Sequence, residues 1–125
     1  MRARLLLLAA LASVLAFAGC AGSSAGGYVQ PTGAALASIE IDSGNLFFEP
    51  NRVEAPAGIV KILLKNTESG SHNLVIAGTP GFILEVSGDG DSNAKKVDLK
   101  AGSYEFYCTL PGHRAGGMKG TLIVK

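Results

Sequence analysis

From Leu36 to Lys125 the chain is cut every few residues by turn-forming sequence, and the pieces between the cuts alternate. That pattern constrains the fold more than any other feature. Strand side chains point to opposite faces with a period of two, whereas a helix repeats every 3.6 residues. Ile39-Glu40-Ile41-Asp42 alternates, Leu46-Phe47-Phe48 is a short apolar run ended by Glu49-Pro50-Asn51, and Arg52 to Ala55 precedes a turn at Pro56-Ala57-Gly58. Ile59 to Asn66 is the longest piece, with Val60, Ile62 and Leu64 on one face and Lys61 and Lys65 on the other. A period of two with a charged outer face predicts a half-buried strand. His72 to Ile76, Phe82 to Val86, Lys95 to Leu99, Gly102 to Cys108 and Gly120 to Val124 read the same way; Thr67 to Ser71, Gly78 to Gly81 and the polar stretch Ser87 to Asn93 read as loops. Roughly seven to nine short strands and no segment that needs a helix predict an all-β fold, an antiparallel β-sandwich with Greek-key connections. The 17 glycines suit turns and short strands.

Upstream of this region the pattern changes twice. Arg2 and Arg4 are followed by Leu5 to Ala18, an apolar run broken only by Ser13. As a helix it would span roughly 21 Å, short of a bilayer's hydrocarbon core of about 30 Å. A charged start, a short apolar run and small residues at its end predict an export signal over residues 1–19 rather than a membrane span. The run closes with Leu15-Ala16-Phe17-Ala18-Gly19-Cys20. This resembles a bacterial lipobox, which implies lipidation of Cys20, cleavage before it, and a protein anchored by lipid to a bacterial membrane on its exported face. Residues 20–35 read as a flexible linker, since twelve of the eighteen residues from Ala21 to Ser38 are Ala, Gly or Ser. The folded domain is expected over residues 36–125.

Chemistry concentrates in one stretch. Cys108, His113 and Met118 stand at equal five-residue steps, and Pro111, Gly112, Gly116 and Gly117 between them rule out a regular helix. A loop that folds back between two strands can gather all three. Tyr104 and Phe106 share the face of Cys108, so the thiol is expected at the end of the core. Thiolate and thioether donors suit copper, and imidazole suits copper or zinc; two His, one Cys and a weak axial Met make the blue-copper arrangement. The loop supplies one His, and the only other is His72, at the start of a strand and followed by Asn73.

The stretch from Ile39 to Lys125 is similar to the cupredoxins of the plastocyanin, azurin and sulfocyanin kind. The likeness rests on His72-Asn73, on Cys108, His113 and Met118, and on the closing Gly117-Met118-Lys119-Gly120-Thr121-Leu122-Ile123-Val124. The Cys-to-His gap differs from the shorter one of plastocyanins, and the His-to-Met gap is one residue longer than in azurins. The resemblance implies a Greek-key sandwich with one type 1 copper ion near one end. Cys108 is then the thiolate ligand, His72 and His113 the equatorial imidazoles and Met118 the long axial ligand. Asn73 resembles the residue that pins the two ligand loops and directs a backbone N–H at the sulfur. His113 becomes the ligand nearest solvent, ringed by Leu110, Pro111 and Ala115 as a docking patch. The implied activity is one-electron transfer between redox protein partners outside the cytoplasm, by a monomer.

Other functions stay in view. A copper-delivery or copper-buffering protein would use the same metal, though such proteins favour exposed Met-rich or His-rich sites. Cys108 and His113 can also form an activated nucleophile pair, but nothing in the sequence supplies an oxyanion pocket, and no enzyme activity is expected. Zinc would accept two His and one Cys. A formal net charge of +1 argues against nucleic acid as partner.

Overall fold

Among the described residues, nine strands form where the alternating segments lie. They are β1 (Ala37–Gly44), β2 (Phe47–Glu49), β3 (Arg52–Ala55), β4 (Gly58–Asn66), β5 (Ser71–Ile76), β6 (Ile83–Ser87), β7 (Ser92–Leu99), β8 (Gly102–Tyr107) and β9 (Lys119–Val124). The computed structural model describes residues 27–125. The signal expected over residues 1–19, the lipidation site at Cys20 and the first part of the spacer lie outside the described residues.

The strands make two sheets, ordered β2-β1-β4-β7 and β3-β9-β8-β5-β6. Val60, Ile62 and Leu64 of β4 turn inward and are buried, while Lys61 and Lys65 face solvent. Leu74, Leu84, Phe106 and Leu122 meet them from the other sheet. Phe48 and Phe106 bridge the layers with ring centroids 5.6 Å apart. Burying each such side chain stabilises the fold by roughly 1.5–3 kcal/mol. Gly120 of β9 lies under this contact: a Cβ there would collide with the Phe106 ring and the Asn51 carbonyl.

The sandwich is not wholly antiparallel, as the alternation alone suggests. β1 runs parallel to β4, pairing Ile39 with Ile62, and β3 runs parallel to β9, pairing Val53 with Leu122. The chain changes sheet between β2 and β3, β3 and β4, β4 and β5, β6 and β7, and β7 and β8. Strands brought together by such crossings need not be hairpin partners, so either direction is open to them. β7 also begins earlier than expected, at Ser92, because Ser92, Asn93 and Ala94 pair with Lys65, Leu64 and Leu63. An available partner strand outweighs polar composition there.

The spacer does not stay clear of the domain over its described part. Tyr28 sets its ring edge-on to Phe82 at 5.2 Å and donates its hydroxyl to the Lys96 carbonyl at 2.9 Å. Gln30 Oε1 accepts from the Lys96 amide at 2.7 Å, Lys96 Nζ donates to the Gly33 carbonyl at 2.8 Å, and the Leu36 amide donates to Ile59. β7 is an edge strand with unpaired backbone groups. A strap that satisfies them also blunts the edge.

Candidate metal centre

Three loops and a turn gather at one end of the sandwich. β8 and β9 are antiparallel neighbours with Tyr107 opposite Lys119, so Cys108 and Met118, one residue beyond each, stand side by side. The Cys108 amide donates to the Met118 carbonyl at 3.1 Å. β5 pairs with β8 only at Val75–Tyr107 and Ile76–Phe106. Its first residues therefore diverge from β8, and His72 sits across the gap. Asn73 bridges that gap: its Oδ1 accepts from the Thr109 amide at 2.8 Å and its Nδ2 donates to Thr109 Oγ1 at 2.7 Å.

The five-residue step from His113 to Met118 has a backbone cause. The Met118 amide donates to the His113 carbonyl at 2.9 Å, and the Gly117 amide to the Arg114 carbonyl at 3.1 Å. Those two bonds are the 6→1 and 5→2 bonds that close a helical turn, with Gly117 at the position requiring positive φ, here 114°. Such a closure brings residues five apart together. Leu46 flanks the turn: it holds φ of 62°, rare for a residue with a Cβ, and its side chain packs against Gly116. The apolar run Leu46-Phe47-Phe48 predicts a strand at Leu46; the strand starts one residue later, at Phe47.

One donor atom from each of His72, Cys108 and His113 lies within 4.8 Å of the other two. Cys108 Sγ is 3.6 Å from His113 Nδ1, and the two imidazole rings are 5.3 Å apart at 55°. Cys108 and Met118 are 0% exposed and His72 is 4% exposed, whereas His113 is half-buried. His72 Nδ1 is buried without a hydrogen-bond partner, while its Nε2 meets Glu68 Oε1 at 2.7 Å. A buried nitrogen left unpaired beside a buried thiol is costly unless a further ligand takes it up. Soft sulfur with imidazole is the donor set that fits copper. Leu110 packs against the core beside these groups, and Pro111 and Ala115 are exposed on the loop.

Around the donors the chain is tied down. Asn66, buried at the end of β4, has its Nδ2 within 2.8, 2.7 and 2.9 Å of the carbonyls of Glu68, Gly70 and Gly88, and its Oδ1 accepts from Ser43 Oγ. Arg114 lies over the Tyr107 ring at 4.0 Å and bonds Glu105 at 2.7 Å, which holds the Glu105 carboxyl below its usual range. Thr109, Glu68 and Asn66 carry no signal in the sequence. Each is a polar residue at a loop or strand end, and only topology reveals its partners.

A two-sheet Greek-key sandwich with a buried thiol, two imidazoles and a thioether gathered at one end defines a cupredoxin with one type 1 copper site. The model of copper binding proteins of the plastocyanin/azurin family matches residues 35–125. The chain belongs to that family. Among solved structures it is similar to a dithionite-reduced auracyanin from the photosynthetic bacterium Roseiflexus castenholzii, at 29% identity and TM-score 0.63, covering 74% of this chain and 99% of that one. Auracyanin B, at 23% identity and TM-score 0.64 over 80% and 96% of the two chains, shares the fold. So does an oxidized methionine-to-leucine mutant of amicyanin, at 21% identity and TM-score 0.54 over 70% and 81% of the two chains. No curated protein sequence matches the chain.

Proposed function

We propose that this chain is a one-electron carrier working outside the cytoplasm and held to a bacterial membrane by lipid on Cys20. The observation that carries the reading is the convergence of both imidazoles of the chain on the buried Cys108 thiol within 4.8 Å. In this reading Cys108, His72 and His113 would hold the ion, with Met118 as the further, weaker sulfur ligand. Copper, when bound, supplies a Cu(II)/Cu(I) couple. The chain's part is to keep the donors where they are in both states. The Cys108–Met118 and His113–Met118 backbone bonds and the Asn73–Thr109 clamp serve that end. The burial of Cys108, Met118 and His72 favours electron transfer over copper delivery.

His113, the least buried of the donors, is the electron exit. Leu110, Pro111 and Ala115 around it, with Leu46 beside the same loop, form an apolar docking patch for a redox protein partner, the protein itself acting as a monomer. That an auracyanin 29% identical is reduced by dithionite supports a redox role here.

The test is visible and paramagnetic-resonance spectroscopy of the copper-loaded protein, followed by voltammetry. An intense thiolate-to-copper band and a reversible one-electron wave are expected, both lost in Cys108→Ser. A colourless copper complex of the intact protein would refute the reading. Tethering is tested by expressing the full chain in a bacterium: wild type fractionates with membranes and Cys20→Ala is released from them.

A further inference from the structure

We infer that Glu68 is a positioning and potential-setting residue for the metal centre, acting through the imidazole of His72. This rests on the copper reading above and extends it to a residue outside the ligand set. His72 has two ring nitrogens, and they face different partners. Nε2 lies 2.7 Å from Glu68 Oε1, while Nδ1 is buried and has no partner among the described residues, so Nδ1 is the nitrogen left to join Cys108 and His113. A carboxylate oxygen only accepts, so the ring proton sits on Nε2 and the lone pair is left on Nδ1. One contact thus fixes both the tautomer and the ring's orientation.

Glu68 is itself fixed. Its loop runs from Asn66 to Ser71, and Asn66 Nδ2 reaches the Glu68 carbonyl at 2.8 Å and the Gly70 carbonyl at 2.7 Å. The Thr67 amide and hydroxyl both donate to the Ser43 carbonyl at 2.9 Å. The backbone at Gly70 passes beside the pair, close enough that a Cβ there would be in van der Waals contact with Glu68 Oε1 and His72 Nε2. The His72 side chain is 3% exposed and that of Glu68 is 32% exposed, which places a carboxylate at the rim of the site with its charge directed inward. A carboxylate on the far nitrogen makes an imidazole a stronger donor. The stronger donor and the nearby negative charge both favour Cu(II) over Cu(I), so Glu68 lowers the reduction potential.

Three variants of the full chain test this. Glu68→Gln keeps an acceptor oxygen but removes the charge, Glu68→Ala removes both, and Glu40→Gln removes a charge paired with Lys65 on an exposed face as a control. The ratio of Cu(II) to Cu(I) affinity is expected to fall in Glu68→Gln by severalfold. It is expected to fall further in Glu68→Ala, with about 10–100-fold weaker Cu(II) binding. A tenfold fall in the ratio reads as a rise of about 59 mV in potential. Glu40→Gln leaves the potential unchanged. Imidazole-nitrogen NMR of the metal-free proteins gives a second readout: His72 protonated at Nε2 in wild type and Glu68→Gln, a mixture of tautomers in Glu68→Ala. Equal potentials across all three variants, or an unmixed tautomer in Glu68→Ala, overturn the inference. If the wild-type chain takes up no copper, the copper reading fails, and the NMR measurement still decides whether Glu68 sets the ring.

Discussion

Replacing Asn73 by Ala removes a side chain that spans the gap between β5 and the segment after Cys108. Asn73 is 6% exposed, and it makes two hydrogen bonds to a single residue, at 2.7 and 2.8 Å. Each such bond contributes about 0.5–1.5 kcal/mol net. Thr109 is exposed, so water can reach its amide once the partner is gone, which keeps the unsatisfied-donor penalty small. The expected loss is therefore about 2 kcal/mol. For a domain of this size that lowers Tm by about 8–16 °C. The assay is thermal unfolding of metal-free Asn73→Ala by circular dichroism. It is combined with Thr109→Ala in a double-mutant cycle that isolates the hydroxyl bond, with a coupling of about 1 kcal/mol expected. A Tm within about 3 °C of wild type, or a coupling inside the additivity limit of about 0.3 kcal/mol, would show that Asn73 is no clamp.

Met118→Leu conserves volume in a fully buried position, so it is expected to cost under about 1.5 kcal/mol while raising the reduction potential; an unchanged potential in voltammetry would remove Met118 from the ligand set. Gly117→Ala forces a Cβ onto a residue with φ of 114° and is expected to destabilise by about 1–3 kcal/mol, read by urea unfolding, with a weakened copper band because the His113–Met118 closure opens. Tyr28→Ala loses the edge contact to Phe82 and the bond to Lys96; amide exchange at Lys96 should quicken while exchange at Val60 and Leu64 stays slow. The Glu54 carboxyl is held below its usual range by its hydrogen bond to Lys125. A depressed folded-state pKa means its small stabilisation is present above the ordinary carboxylate range and is lost as pH falls through the lowered value. Carboxyl NMR titration should show that depression in wild type and not in Lys125→Ala.

Strand positions are readable in the sequence because the physics behind them is local. Val60, Ile62 and Leu64 against Lys61 and Lys65 state an inner and an outer face without reference to the rest of the chain. The donor set is readable for a different reason. Cysteine, histidine and methionine are scarce here, and softness narrows what they can hold together. What stays hidden depends on contacts between distant segments. The parallel pairing of β1 with β4 follows from sheet crossings, not from either strand's composition. Glu68 looks like any solvated loop acid until the His72 ring is placed beside it. The Tyr28 strap sits in a tract of Ala, Gly and Ser, and only the unpaired edge of β7 explains why it lies down. Leu46 resembles the start of a strand because it precedes two phenylalanines, yet its φ of 62° makes it a turn residue whose side chain covers the ligand loop.

The arrangement of the donors also bears on what metal binding does to stability. Each donor is held by contacts within the chain: Cys108 by the Met118 carbonyl, His113 by the turn closed at Gly117, His72 by Glu68. A loosely built site would relax until His72 Nδ1 found a partner, since an unpaired buried nitrogen costs about 1–3 kcal/mol. It has none because Glu68 holds the opposite nitrogen and Asn66 holds the loop that carries Glu68. A metal taken up at His72 Nδ1 would satisfy that nitrogen, and anything that binds the native state but not the unfolded one shifts the equilibrium toward folding. The strap is remote from this balance, for Tyr28 packs by Phe82 and the turn after β5, whereas His72 lies near the opposite end of that strand. Loss of the strap in Tyr28→Ala should therefore leave the metal centre untouched, and an altered copper band in that variant would show that the two ends are coupled.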